Sequence, residues 1–312
     1  MIWSMSSNLS LIGFGEAGST FARAGDWAAR VYDVQTDGPA RADMLARYEE
    51  AGVTGADTAA SAIAGSGAIF SVVTADQALL AARNVAEALA KNAFFFDMNS
   101  VAPDTKRAAA AVIDAAGGRY VDVAVMAPVN PARMAVPLLV SGPYAEQGAA
   151  LLADVGFTKV RVVGTEVGRA STIKMLRSVI FKGMEALTAE CVLACDRAGV
   201  LDEVLGSLGA EWPALADYRL DRMMVHGVRR AAEMEESAKT LEALGIEPLM
   251  TRGTIARQRQ VGDFGIAPPE GLPAKLSVLG VTPAEAGVHG GTTRTDTMDS
   301  RFRGNDIEGK VA

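Results

Sequence analysis

The chain has 312 residues, 49% of them hydrophobic and 21% charged, with a net charge of −7, two cysteines and two histidines. This is the composition of one large or two medium globular domains whose core needs no disulfides. The acidic balance argues against nucleic acid, the few cysteines and histidines against a multi-ligand zinc site, and the absence of an apolar run of ~18 residues against a membrane span. Met1 to Ser7 lacks the basic residues of a secretory signal, so a reducing, cytoplasmic location is expected.

In chain order, the first half alternates strands with helices. Asn8 to Ile12 reads as a short strand, followed by the turn Gly13-Phe14-Gly15-Glu16-Ala17-Gly18. Ala29 to Tyr32 is a second strand ending at Asp33, and Ile69 to Val73 a third, with a helix over Gln77 to Ala90 after it. Phe94 to Phe96 reads as a buried strand ending at Asp97. Pro103 suits a first helical turn, Thr105 to Ala116 continues that helix, and Gly117-Gly118 stops it. Tyr120 to Val125, Val136 to Val140 and Val160 to Val163 are further strands, the last two flanking a helix over Ala145 to Val155. The expected fold class is α/β: a Rossmann-type, doubly wound parallel sheet over residues 1–165.

After Thr165 the alternation stops. A long helix is expected over Val167 to Gly199, then Leu201 to Leu208, Trp212 to Met224, Val228 to Leu244 and Met250 to Gln260. Residues 166–275 therefore read as an all-helical domain, whose long helix with a broad apolar face suits dimerisation. Cys191 and Cys195, four apart on one helix face, read as two small apolar side chains. Glycines and threonines crowd residues 276–312, which read as a disordered or appended tail; Met298 to Asp306 resembles translated intergenic repeat sequence.

The turn Gly13-x-Gly15-x-x-Gly18 follows a strand and opens a helix, the context in which such glycines hold a dinucleotide. Gly13 permits the turn, Gly15 lets backbone approach a pyrophosphate, and Gly18 lets helix pack on strand. Phe14, Glu16 and Ala17 complete the segment, whose free amides and helix dipole favour an anion. Asp33, at the next strand's end, suits the ribose hydroxyls and would repel a 2′-phosphate. The cofactor expected is NAD in preference to NADP, with Arg30 the nearest cation that could reach a 2′-phosphate. Thr74 follows the third strand at the edge where ligands collect.

Leu11 to Gly18, Ser71-Val72-Val73-Thr74 and Asp97-Met98-Asn99-Ser100-Val101-Ala102-Pro103 together resemble the β-hydroxyacid dehydrogenases, which include 6-phosphogluconate and 3-hydroxyisobutyrate dehydrogenases. The similarity runs over about residues 8 to 265. Lys174-Met175-Leu176-Arg177-Ser178, Lys182-Gly183 and Arg229 to Glu235 look like a subgroup with a compact helical C-terminal domain.

The resemblance implies that Lys174, six residues after Gly168, is the general acid/base. A lysine amine made neutral by burial can accept a hydroxyl proton as hydride leaves carbon. The resemblance also implies substrate contacts from Asn99 and Ser100, from Ser178 where relatives carry asparagine, and from the backbone of Met126 and Ala127, where a Ser-Gly-Gly loop is altered. Arg229 and Arg230 could suit a carboxylate, but neighbours on a helix point about 100° apart and cannot both face one site. His226 lies on the same segment.

The activity implied is NAD(P)-dependent hydride transfer between nicotinamide and a small hydroxy acid or its semialdehyde, by a homodimer that needs no metal. Two alternatives stand beside it. One is a non-catalytic dinucleotide-binding sensor or scaffold. The other is an imine reductase-like enzyme, against which Lys174 counts.

Overall fold

Residues 9–280 are described in a computed structural model of the protein. The first half runs β1 (Leu9–Ile12), α1 (Glu16–Gly25), β2 (Arg30–Tyr32), α2 (Arg41–Glu50), β3 (Thr54–Gly55), α3 (Ala59–Ile63), β4 (Ala68–Ser71), α4 (Ala78–Ala86), β5 (Phe94–Asp97), α5 (Pro103–Ala115), β6 (Arg119–Val125), β7 (Leu138–Ser141), α6 (Ala145–Asp154) and β8 (Val160–Gly164). The eight strands form one sheet in the order β3-β2-β1-β4-β5-β6-β7-β8. The reversal of direction at β1 and β4 is the switch point of a doubly wound sheet, where ligands bind beyond the strands' carboxyl ends.

The sheet departs from the expected parallel pattern at one pair, since β7 runs antiparallel to β6. The connection between them carries only the short 3-10 turn Arg133–Ala135. Without a crossover helix the chain has to return in the opposite sense.

Both sheet faces are covered, so the central strands are apolar throughout. Phe94 and Phe96 pack with Phe70, Trp27 and Phe157 on one face, while Phe95 stacks on Tyr120 on the other.

The described residues after β8 are helical: α7 (Arg169–Ala198), α8 (Leu201–Leu208), α9 (Trp212–Ala243), α10 (Leu249–Gly262) and α11 (Leu272–Leu279). The two helices expected over Trp212 to Met224 and Val228 to Leu244 are in fact the single helix α9. Gly227 does not break it, because it is where α10 crosses. A Cβ there would lie 2.3 Å from the Gln258 carbonyl oxygen and 2.8 Å from Gly262. The ~1 kcal/mol that glycine costs a helix interior is offset by this close approach of two backbones.

The expected tail also begins too early. Residues 276–279 belong to α11, where Leu276 is fully buried and Lys275 is pinned to α9 by Asp217 at 2.6 Å and Asp221 at 2.9 Å. A buried, paired lysine hides this helix from an apolar-periodicity reading. The remainder of that segment, Met298 to Asp306 included, lies outside the described residues. Among the described residues no helix is long and apolar enough to cross a membrane.

Candidate active site

Each glycine of the first turn has the environment its role needs. Gly13 has φ +95°, and a Cβ there would stand 2.6 Å from the Val72 carbonyl oxygen. Gly18 has no room either, with the Gly13 carbonyl oxygen 2.5 Å from its Cβ position, so α1 lies against β1. Gly15 is the opposite case: nothing lies within 4 Å of its Cβ position. It is exposed with Glu16, and no side chain caps the first turn of α1. Bare backbone facing open space at a helix start is the cradle a pyrophosphate requires. These residues fit a dinucleotide.

Phe14 serves differently from expectation. It is fully buried, its ring packs edge-on against Tyr48, and its amide donates to Asp33 Oδ2 at 2.6 Å. Phe14 therefore anchors Asp33 and has no amide free for phosphate. Asp33 also accepts from the Gln35 amide at 2.9 Å. A carboxylate has about four acceptor sites, so two bonds leave capacity for ribose hydroxyls. The 58% exposed Val34 next to Asp33 offers nothing to a 2′-phosphate. Arg30 is held at the opposite end of β2, by the Ala64 carbonyl and Ser66 Oγ.

The carboxyl edge is stitched together from β4 to the helices. Asn99 Oδ1 accepts from the Val73 amide at 2.7 Å and its Nδ2 donates to Ser71 Oγ at 2.9 Å. Asn99 is 3% exposed. One lone pair of its oxygen and one N–H of its nitrogen are thus used within the sheet edge, which fixes the side chain there. It positions the segment leading to Thr74, which is exposed. Ser100 is half-buried beside it. The Val101 carbonyl accepts from Ser171 Oγ of α7, and the Ala102 amide donates to Glu236 of α9 at 2.8 Å.

The altered loop after β6 also differs from expectation at Met126. Its amide donates to the Pro137 carbonyl at 2.9 Å, and its carbonyl accepts from Arg177 at 3.1 Å. Met126 thus has no N–H to offer a ligand. Ala127 follows it, half-buried, and Pro128 has no N–H at all.

Behind this edge lies a buried charge cluster. Lys106 Nζ meets Asp97 Oδ1 at 2.9 Å and Asp122 Oδ1 at 3.3 Å, and Tyr120 donates to Asp97 Oδ2 at 2.7 Å. Asp122 Oδ2 accepts from Ser141 Oγ and from the amides of Gly168 and Ser171. A carboxylate taking amides at a helix start is a strong cap. It fixes where α7 leaves the sheet, and hence where Lys174 stands.

Lys174 is half-buried on α7, and among the described residues no acceptor lies within hydrogen-bond or ion-pair reach of its ammonium. Burial lowers its pKa from the ordinary 10.5 to about 8. Glu233 pulls it upward, while Lys182, Lys106 and Arg229 push it further down. Ser178, one turn on, is 9% exposed and accepts from Lys182 Nζ at 3.3 Å. Lys182 also pairs with Glu233 Oε2 of α9 at 2.7 Å, and Arg229 meets Glu233 Oε1 at 3.4 Å. Burial alone would raise the Glu233 carboxyl, but Lys182, Arg229 and Lys174 outweigh it and hold the pKa at about 2. Arg230 diverges from Arg229 as helix geometry requires, and pairs with Glu185. His226 is lowered to about 4, by burial first and then by Arg222, Arg229 and Arg230.

Sequence reading missed Glu233, the placement of Lys182, and the capping role of Asp122. The available signals were an acid inside the otherwise apolar strand β6, and a lysine two turns beyond Lys174 on the same face. Cys191 and Cys195 lie further along α7 with their sulfurs 3.9 Å apart.

Residues 8–164 match the NAD binding domain of 6-phosphogluconate dehydrogenase. The chain belongs to that family. Residues 196–261 match a domain of unknown function, DUF1932. A conserved hypothetical protein from Sinorhizobium meliloti 1021 is 36% identical, with a TM-score of 0.69, over 89% of this chain and 97% of its own. The conserved protein MTH1747, described as of unknown function and structurally similar to 3-hydroxyacid dehydrogenases, is 28% identical, with a TM-score of 0.64, over 88% of this chain and 99% of its own. An uncharacterized 28.5 kDa protein of Methanothermus fervidus is 27% identical over 79% of this chain and 95% of its own. The chain thus joins a dinucleotide-binding domain of the dehydrogenase superfamily to a helical domain, and these relatives are themselves of unknown function.

Proposed function

We propose that the protein is an NAD(P)-dependent oxidoreductase acting on a small hydroxy acid or its semialdehyde, with Lys174 as the general acid/base. One observation carries this reading: a half-buried amine with no acceptor in reach among the described residues, its pKa lowered to about 8, on the helix that Asp122 and Val101 tie to the sheet. A structural lysine in such a place would be paired, as Lys106 and Lys275 are.

The bound nicotinamide supplies hydride chemistry. The chain supplies the rest. Gly13, Gly15 and Gly18 leave room for the pyrophosphate, and Asp33 offers its remaining acceptor capacity to the ribose. Neutral Lys174 takes the hydroxyl proton during oxidation, and its ammonium returns a proton during reduction. Ser178 and Ser100 border the substrate. NAD is preferred, because Asp33 repels a 2′-phosphate and Val34 cannot pair with one.

A homodimer belongs to the same proposal. Ile180 and Leu187 of α7 and Val225 and Val228 of α9 are each more than half exposed, the kind of apolar surface that association covers. A cytoplasmic location also belongs to it, and rests on the free thiols of Cys191 and Cys195.

The test is nicotinamide absorbance with NAD and a panel of hydroxy acids, for wild type and Lys174→Met. Turnover lost in the variant supports the enzyme. Cofactor binding without turnover across a broad panel supports the sensor reading instead.

A further inference from the structure

Lys182 raises a question of valence. Its side chain is 8% exposed and its ammonium carries three donors. Two are accounted for, by Ser178 Oγ at 3.3 Å and Glu233 Oε2 at 2.7 Å. Among the described residues no acceptor is in reach of the third. Buried donors are satisfied by protein or by solvent, so the third donor is open to an acceptor from outside the chain.

Position says what kind of acceptor. Lys174, Ser178 and Lys182 are spaced by four along α7 and share a face. Helical side chains lean toward the N-terminus, and Lys182 reaches back to the level of Ser178, one turn beyond Lys174. Serine is too short to do there what an asparagine amide would do, and the Lys182 ammonium fills that space. The charge balance is one-sided as well. Lys174, Lys182 and Arg229 lie about the carboxylate of Glu233, and Arg230 with Glu185 adds a paired cation and anion beside Lys182, so cations remain in excess. An added anion is the species this excess favours.

We propose that Lys182 is a specificity-determining residue that binds the carboxylate of the substrate. It is held in place by Glu233 and Ser178 and substitutes for the longer side chain missing at position 178. This rests on the reading of Lys174 as the acid/base, since it places the substrate along the same helix face. Glu233 is then a positioning residue: it keeps Lys182 charged and fixed, and touches no substrate.

The test is calorimetric binding to the full chain saturated with NAD, which needs no turnover. The probes are glycolate, lactate and malonate, with ethylene glycol and propylene glycol as uncharged counterparts. Loss of a charge-assisted hydrogen bond weakens carboxylate binding about tenfold to a hundredfold in Lys182→Met. Lys182→Arg retains most of the affinity. The diols bind all variants alike, whereas a merely structural role would move diols and carboxylates together. For any acid that turns over, Lys182→Met raises KM more than it lowers kcat.

Should Lys182→Met fail to fold with Glu233 left unpaired, the double variant Lys182→Met with Glu233→Gln removes both charges and takes its place. Carboxylate affinity unchanged in these variants overturns the proposal, as does a wild type that binds none of the three acids. Failure of the Lys174 reading shows separately, as turnover that survives Lys174→Met.

Discussion

The glycine turn and the α7–α9 cleft are built by opposite means. The turn works by subtraction. Gly13 and Gly18 have no space for a side chain, Gly15 leaves space for something else, and every part falls within one strand, one turn and one helix. The cleft works by addition. Lys174, Ser178 and Lys182 come from α7, and Arg229 and Glu233 from α9, with α8 and the loops around it intervening. A backbone cradle has no room for a side chain at Gly13 or Gly18, and draws an anion only by its amides and helix dipole. A side-chain cleft tolerates substitution, as Ser178 shows, but each change redistributes charge among its neighbours.

The sharpest way to separate the two is to remove the acid/base and leave the cradle intact. Lys174→Met lowers kcat by about 10²–10⁴ while NAD binding, followed by calorimetry, stays within a few-fold of wild type. Turnover that survives would break the comparison. The converse is Gly13→Ala, which forces a Cβ onto the Val72 carbonyl at a φ of +95°. It destabilises the protein by about 1–3 kcal/mol in urea melts and weakens NAD binding at least tenfold. Gly15→Ala, with open space around it, keeps wild-type stability and weakens NAD binding alone.

Charge coupling within the cleft sets the pH response. Oxidation needs the neutral amine, so kcat/KM for oxidation rises with pH and levels off near the Lys174 pKa of about 8. Glu233 raises that pKa, so Glu233→Gln moves the rise to lower pH. A profile that stays put, or moves upward, would show that Glu233 does not act on Lys174.

The smallest effect is on stability. The folded-state pKa of Lys174, about 8, lies below its ordinary 10.5, so the folded protein binds this proton more weakly than the unfolded chain does. The charged amine therefore opposes folding fully below pH 8, and the penalty fades between pH 8 and 10.5. Lys174→Met melts above wild type at pH 7, and the gap narrows toward pH 10.5.

Much of this architecture was legible in the residues, and the misreadings have specific causes. Apolar runs marked seven of the eight strands, because a strand buried on both faces has little other vocabulary, and β3 went unread because its two residues are exposed. Gly227 suggested a break in α9, because the α10 backbone packed against it leaves no local trace. Asn99 and Met126 stood where ligand contacts were expected, but Asn99 is bonded to Val73 and Ser71 and the Met126 amide is taken by the Pro137 carbonyl. Glu233 was invisible as a partner of Lys182, since pairing across two helices follows no sequence period.

Resemblance to the β-hydroxyacid dehydrogenases pointed to Lys174, while the sequence by itself determined the Rossmann-type half and the glycine turn with Asp33 beyond it. These depend on local sterics and short spacings, which a linear chain displays. Only the tertiary structure decided that, among the described residues, no acceptor is in hydrogen-bond reach of Lys174 while Lys182, Glu233 and Arg229 share one cluster. Burial and charge at a point in space are sums over every element that reaches it, and the chain order of those elements does not contain that sum.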